Sequence, residues 1–138
     1  MSGDVSEESK AKGREVRVAM GDSPRPRSPA NAAGLDLVPG LEDYVLGVNF
    51  GEIWSRPHLD LKQRCGLVLG MLTVMGLDPQ IRPYVGYALK LGWTPEEICE
   101  IFVQSISYAG LPRAFNALRV AAEVFKEQGV TPGPIETP

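Results

Sequence analysis

At 138 residues, with 43% hydrophobic and 22% charged side chains, the chain is expected to form one soluble globular domain with a core of its own. A net charge of −3 argues against a nucleic-acid partner, and the longest apolar run, Cys65 to Leu77, is well short of the ~20 residues that span a bilayer. The polar, acidic start, MSGDVSEESK, is unlike a signal peptide, so the expected location is cytoplasmic. A single histidine and two cysteines without a CxxC pair argue against structural zinc. The two thiols, Cys65 and Cys99, are expected to be reduced and buried, although a bridge between them stays open.

In chain order, residues 1 to about 8 are expected to be a polar tail. Ser9 to Met20 has helix-favouring content, weakened by Gly13, and Gly21 is placed to close it. The stretch SPRPRSPANAAG, Ser23 to Gly34, carries three prolines and is expected to be an extended arm. Leu41 to Ser55 is apolar at Leu41, Tyr44, Val45, Val48 and Ile53, in helical spacing, and Pro57 ends it. Asp60, with Gln63 three residues on, has the spacing of a capping box for a helix running to Met75. That helix is apolar on nearly every side after Arg64, which predicts that it is central and buried.

Asp78-Pro79 predicts the next helix, with Asp78 as its cap, and Pro83 is expected to kink it or delay its start. Thr94-Pro95-Glu96-Glu97 is the clearest helix start in the chain: a Thr cap, Pro at the first position and a capping-box Glu97. The helix it opens is expected to bury Ile98, Ile101, Phe102, Ser105 and Tyr108. Gly110 and Pro112 separate it from a last helix, Arg113 to Gln128, which Gly129 stops. No segment alternates with period two, so the predicted class is all-α, a compact bundle of about five to six helices. So many apolar-rich helices on a small chain predict burial against other subunits.

Three blocks in this order, GEIWSRPHLDLKQR, YALKLGWTPEEICEIF and YAGLPRAFNALRVAAEVF, resemble the carboxymuconolactone decarboxylase family of the alkylhydroperoxidase D-like superfamily. The matching motifs are GE-x-W-x-R-P, AL-x-x-G-x-T-x-EEI and Y-x-G-x-P-x-A-x-x-A. The resemblance covers roughly Lys10 to Gln128. The expected organisation is an N-terminal tail, short helix and Pro-rich arm over 1–38, a helical domain like the family's over 39–129, and a C-terminal tail over 130–138. The resemblance implies homo-oligomers, trimers or hexamers, and a small-molecule substrate with no cofactor, while the composition read above argues against metal, membrane and nucleic acid. The namesake activity is loss of CO2 from a lactone carboxylate.

The chain also departs from the family pattern. Counting back from Ala88-Leu89, the family's pocket histidine is replaced by Tyr84. The cysteines used by the superfamily's peroxidases fall at Leu77 and Gln80, and their glutamate falls at Cys65. A thiol peroxidase needs an attacking thiolate and a resolving partner, so that activity ranks last.

Decarboxylation requires that a carboxylate be bound, that a developing enolate be stabilised and that a proton reach carbon. Arg56 and Arg64 are the candidate anion clamps, because a guanidinium is permanently charged and forked to match a carboxylate. Glu52 is a candidate acid or base, or else a salt-bridge partner of Arg56 four residues on. Trp54 is a candidate pocket floor or a packed core residue. Tyr84 is a candidate proton donor, and its reference pKa near 10 makes it a poor base. His58 has the one side chain with a reference pKa near neutrality, but an exposed turn position is expected for it. Tyr108 is a candidate substrate contact, with core packing the competing expectation. The function expected is a cofactor-independent lyase or isomerase for a small cyclic carboxylate or lactone, in aromatic catabolism or secondary metabolism. The alternative is a non-catalytic homo-oligomeric binding or scaffold protein.

Overall fold

Every element of the computed structural model is a helix or a turn, and no strand occurs among the described residues, 4–22 and 34–134. The arm expected over Ser23 to Gly34 lies outside them, apart from Gly34. The chain forms two compact units, one ending at Leu61 and the other beginning at Lys62.

In the first unit, α1 spans Glu7–Ala19. It starts inside the expected polar tail because Ser6 caps it: the Ser9 N–H donates to Ser6 Oγ at 3.1 Å. Glu7 and Glu8 in the first turn and Arg17 in the last suit the helix dipole. Val16 and Met20 are buried. Arg17 Nε donates to Asp22 at 2.7 Å, and the guanidinium lies 5.9 Å from the Phe50 ring centroid.

After a short 3-10 turn, Leu35–Leu37, α2 begins as one α-helical turn, Leu41–Tyr44, and continues as a π-helix, Val45–Trp54. The expectation of an α-helix to Ser55 is corrected here in type. Wide i→i+5 stretches of this length are rare and recur at functional sites. α1 packs along this π segment through glycine. A Cβ on Gly13 would overlap the Leu46 carbonyl, one on Gly51 the Ser9 carbonyl, and one on Gly47 the Val5 side chain. Gly13 therefore does not merely weaken α1: it allows the two backbones to touch.

The second unit packs through side chains. It holds α3 (Leu61–Met75), α4 (Asp78–Lys90), α5 (Pro95–Ala109) and α6 (Leu111–Gln128). Cys65, Leu69, Ile81, Val85, Ile98 and Phe102 are fully buried, and Ala114, Ala117 and Ala121 form a buried row on α6. The row gives α6 a thin face, against which α4 and α5 pack. Gly66 leaves room for the Trp93 indole, whose Nε1–H donates to the Lys62 carbonyl at 2.7 Å.

Both bonds of the capping box form: the Glu97 N–H donates to Thr94 Oγ1 at 3.2 Å, and the Thr94 N–H to Glu97 Oε2 at 2.8 Å. Three other expectations need correction. Asp78 sits inside the first turn of α4 and Leu77 takes the cap position, while the helix continues through Pro83. α6 starts two residues early, since Pro112 is tolerated in a first turn that needs no N–H donor. α3 is not buried all round: Leu67, Met71, Val74 and Met75 are 44–55% exposed and form one stripe, because the helices around it cover a single face.

Candidate functional site

The GEIWSRP block forms the end of the π segment and the turn after it. Trp54 is buried, its ring 5.8 Å from that of Phe50 and tilted by 44°. The core reading of this tryptophan therefore holds, with the indole anchoring the helix end. On either side of it in sequence, Glu52 and Arg56 are exposed. The backbone N–H of Arg56 closes the last turn on Ile53 O at 3.3 Å, and Ser55 Oγ donates to the Gly51 carbonyl.

A buried aromatic thus fixes a helix end that carries a carboxylate and a guanidinium outside the core. The Glu52 carboxylate accepts a hydrogen bond from Ser9 Oγ of α1 at 3.1 Å. A carboxylate can only accept, so the serine must be the donor.

His58 is exposed in the turn that follows, as expected. Its φ of 80° makes it the one non-glycine residue with positive φ among the described residues. A histidine held there carries backbone strain of about 1–2 kcal/mol.

Arg64, Tyr84 and Tyr108 belong to the second unit. Arg64 is half-buried on α3, next to Cys65. Cys65 Sγ lies 3.6 Å from the Tyr84 carbonyl, so α3 and α4 meet at this point. Tyr84 is half-buried and meets Tyr87 edge-on, with centroids 5.3 Å apart and planes at 80°. Tyr108 is 83% exposed, which overturns the expectation of a core tyrosine, while Phe102 and Ser105 on the same helix are buried. The structure thus puts Glu52, Trp54, Arg56 and His58 on one continuous stretch of the first unit, and Arg64 and Tyr84 around one helix contact of the second.

The cysteines are unsuited to thiol chemistry. Both are buried, and burial pushes the Cys65 thiol up to about 12. Burial, followed by the nearby Glu96 and Glu100 charges, also raises Cys99. A thiol held this high has almost no thiolate at neutral pH. No helix among the described residues is long and apolar enough to cross a membrane.

Sequence reasoning missed Ser9 and the glycine packing that brings it to Glu52. The available signal was Gly47-x-x-x-Gly51, a small-residue pair four apart opposite Gly13, which marks close helix approach.

The block lies inside a region that matches a known family. The sequence model of the carboxymuconolactone decarboxylase family matches residues 39–123. The chain is similar to 4-carboxymuconolactone decarboxylase of Acinetobacter baylyi, 30% identical over 97 residues that cover 70% of this chain and 72% of the relative. It is 38% identical over 94 residues to a 15.0 kDa protein from the nqo9-nqo10 intergenic region of Paracoccus denitrificans, covering 67% and 70%. It is 30% identical over 78 residues to nitrosuccinic acid decarboxylase of Metarhizium robertsii, covering 56% and 54%.

Proposed function

The chain belongs to the carboxymuconolactone decarboxylase family, and from that premise we propose that it is a cofactor-independent lyase or isomerase that acts on a small carboxylate, cyclic or lactone in type. The observation that carries this reading is Glu52 and Arg56 exposed on either side of buried Trp54, at the end of a π-helix inside the matched region.

The names of two relatives narrow the chemistry. A carboxymuconolactone and a nitrosuccinic acid both carry a carboxylate near a group that can take electrons, a conjugated lactone in one and a nitro group in the other. Loss of CO2 sends the electron pair into that acceptor, and a proton then reaches carbon. A cation that holds only the departing carboxylate favours the ground state, because negative charge leaves that group as neutral CO2 forms. A cation facing the acceptor gains as charge develops there, and that difference is what accelerates the reaction. Within the first unit, Arg56 is assigned to the acceptor and Glu52 is the group that moves the proton. His58, in its strained turn, is a second candidate for the proton.

Homo-oligomerisation is part of the same proposal. The Leu67, Met71, Val74 and Met75 stripe, with Leu111 and Phe115 each 62% exposed, is more apolar surface than a lone small chain usually shows. The molar mass in solution measures this, and a monomer at micromolar concentration would refute it.

Incubating the purified chain with 4-carboxymuconolactone, without added metal or nucleotide, and trapping CO2 tests the catalytic claim. Release above the spontaneous rate is expected, and none at high protein concentration would end the claim for that substrate. Nitrosuccinate is the parallel probe for an acyclic substrate.

A further inference from the structure

Glu52 has a long side chain on an exposed position, and such a group loses rotamer freedom whenever it is held for chemistry. Its partner among the described residues is a serine 43 positions earlier in the chain. That serine is itself held by three hydrogen bonds to two residues. Its N–H donates to Ser6 Oγ at 3.1 Å, its Oγ accepts from Ser6 Oγ at 3.0 Å, and its own hydroxyl proton goes to Glu52 Oε1 at 3.1 Å. Its carbonyl lies against Gly51, where no side chain other than hydrogen fits, so the backbone next to Glu52 is pressed onto the backbone of Ser9. The helix cap of α1 and the glycine contact thus end on the same carboxylate.

We propose that Ser9 is the positioning residue of Glu52, by which α1 holds the carboxyl group that moves the proton. The inference rests on the reading of Glu52 under the proposed function. A hydroxyl is suited to this role because it both donates and accepts. It donates to Glu52 when that group is a carboxylate. It accepts from Glu52 when that group is a carboxylic acid, with the Ser9 proton free to rotate away. Glu52 therefore keeps one position through both halves of a proton transfer, which a lysine partner would not allow.

The test uses the full chain and CO2 release from 4-carboxymuconolactone. Ser9→Ala favours helix, so α1 is expected to fold. It is expected to lower kcat about tenfold, the worth of one charge-assisted hydrogen bond, with KM changed less than about twofold. Ser9→Thr, which keeps the hydroxyl, is expected within about threefold of wild type. Combined with Glu52→Gln, Ser9→Ala is expected to add no further loss, because the group it positions is gone.

An active wild type with an unchanged Ser9→Ala variant overturns the role of Ser9 alone, as does a fully multiplicative loss in the double variant. A wild-type chain that leaves the lactone intact overturns the functional reading, and the role of Ser9 in turnover falls with it. Independently of turnover, the Glu52 carboxyl 13C resonance is expected to move in Ser9→Ala and to stay in Ser9→Thr. A resonance that does not move in Ser9→Ala overturns the proposal.

Discussion

The first unit is held by backbone meeting backbone, the second by side chain meeting side chain. In the first, Gly13, Gly47 and Gly51 let α1 lie on the π segment, and the polar groups of the block stay outside the core. In the second, Cys65, Leu69, Ile81, Val85, Ile98 and Phe102 fill an ordinary apolar interior. Side-chain packing tolerates volume-conserving change, whereas backbone contact tolerates no added atom. The unit with the least tolerance for change is the one that presents Glu52 and Arg56. Geometry set by backbone contact is hard to loosen, and that suits groups that must be held in place.

The largest expected effect that separates the units is alkaline and belongs to the second. Folded, Cys65 keeps its proton to about 12, against 9.0 for the ordinary thiol. The stability from this group is complete below pH 9 and falls as pH rises from 9 towards 12, because the unfolded thiol ionises first, by about 1.4 kcal/mol per pH unit. Urea melts at pH 8 and pH 10.5 should therefore differ more for wild type than for Cys65→Ala. Equal differences would place Cys65 outside the core.

In the first unit, Gly51→Ala should cost about 1–3 kcal/mol although alanine favours helix, because the new methyl overlaps the Ser9 carbonyl. A rise in melting temperature would show that the helices do not touch there. Thr94→Ala removes one half of the α5 capping box and should cost about 1 kcal/mol, read in the same melts.

The smallest effect is at the turn. His58→Gly relieves the positive φ and should raise stability by a few tenths of a kcal/mol, less than the full strain because glycine is freer when unfolded. A His58→Gly variant that keeps its turnover would remove the histidine from the proton path and leave Glu52.

Much of the second unit was legible from sequence. Thr94, Pro95 and Glu97 mark the start of α5, and Gly129 marks the end of α6 in a left-handed C-cap, because caps and stops are local chemistry. Tyr108 was misread because helical spacing groups residues on a face but does not say how much of that face the neighbouring helices cover. The stripe on α3 was misread for the same reason: an apolar helix in sequence carries no record of which side stays uncovered. In the first unit the polar block was legible as a cluster and its π-helical form was not, since Val45 to Trp54 has no local signal for i→i+5 bonding. The Ser9–Glu52 bond spans 43 residues, and long-range contact is invisible to local pattern.

The most direct measurement is kcat/KM for CO2 release by Arg56→Ala. Arg56 is exposed on a helix end already anchored by Trp54, so its removal should leave the melting temperature within about 2 °C, as for most surface substitutions. If it stabilises charge developing on the acceptor, kcat/KM falls about 10²–10³-fold, mostly in kcat, and added guanidinium restores part of the loss. An unchanged kcat/KM on a substrate that the wild type decarboxylates would contradict the assignment of this helix end as the reacting wall.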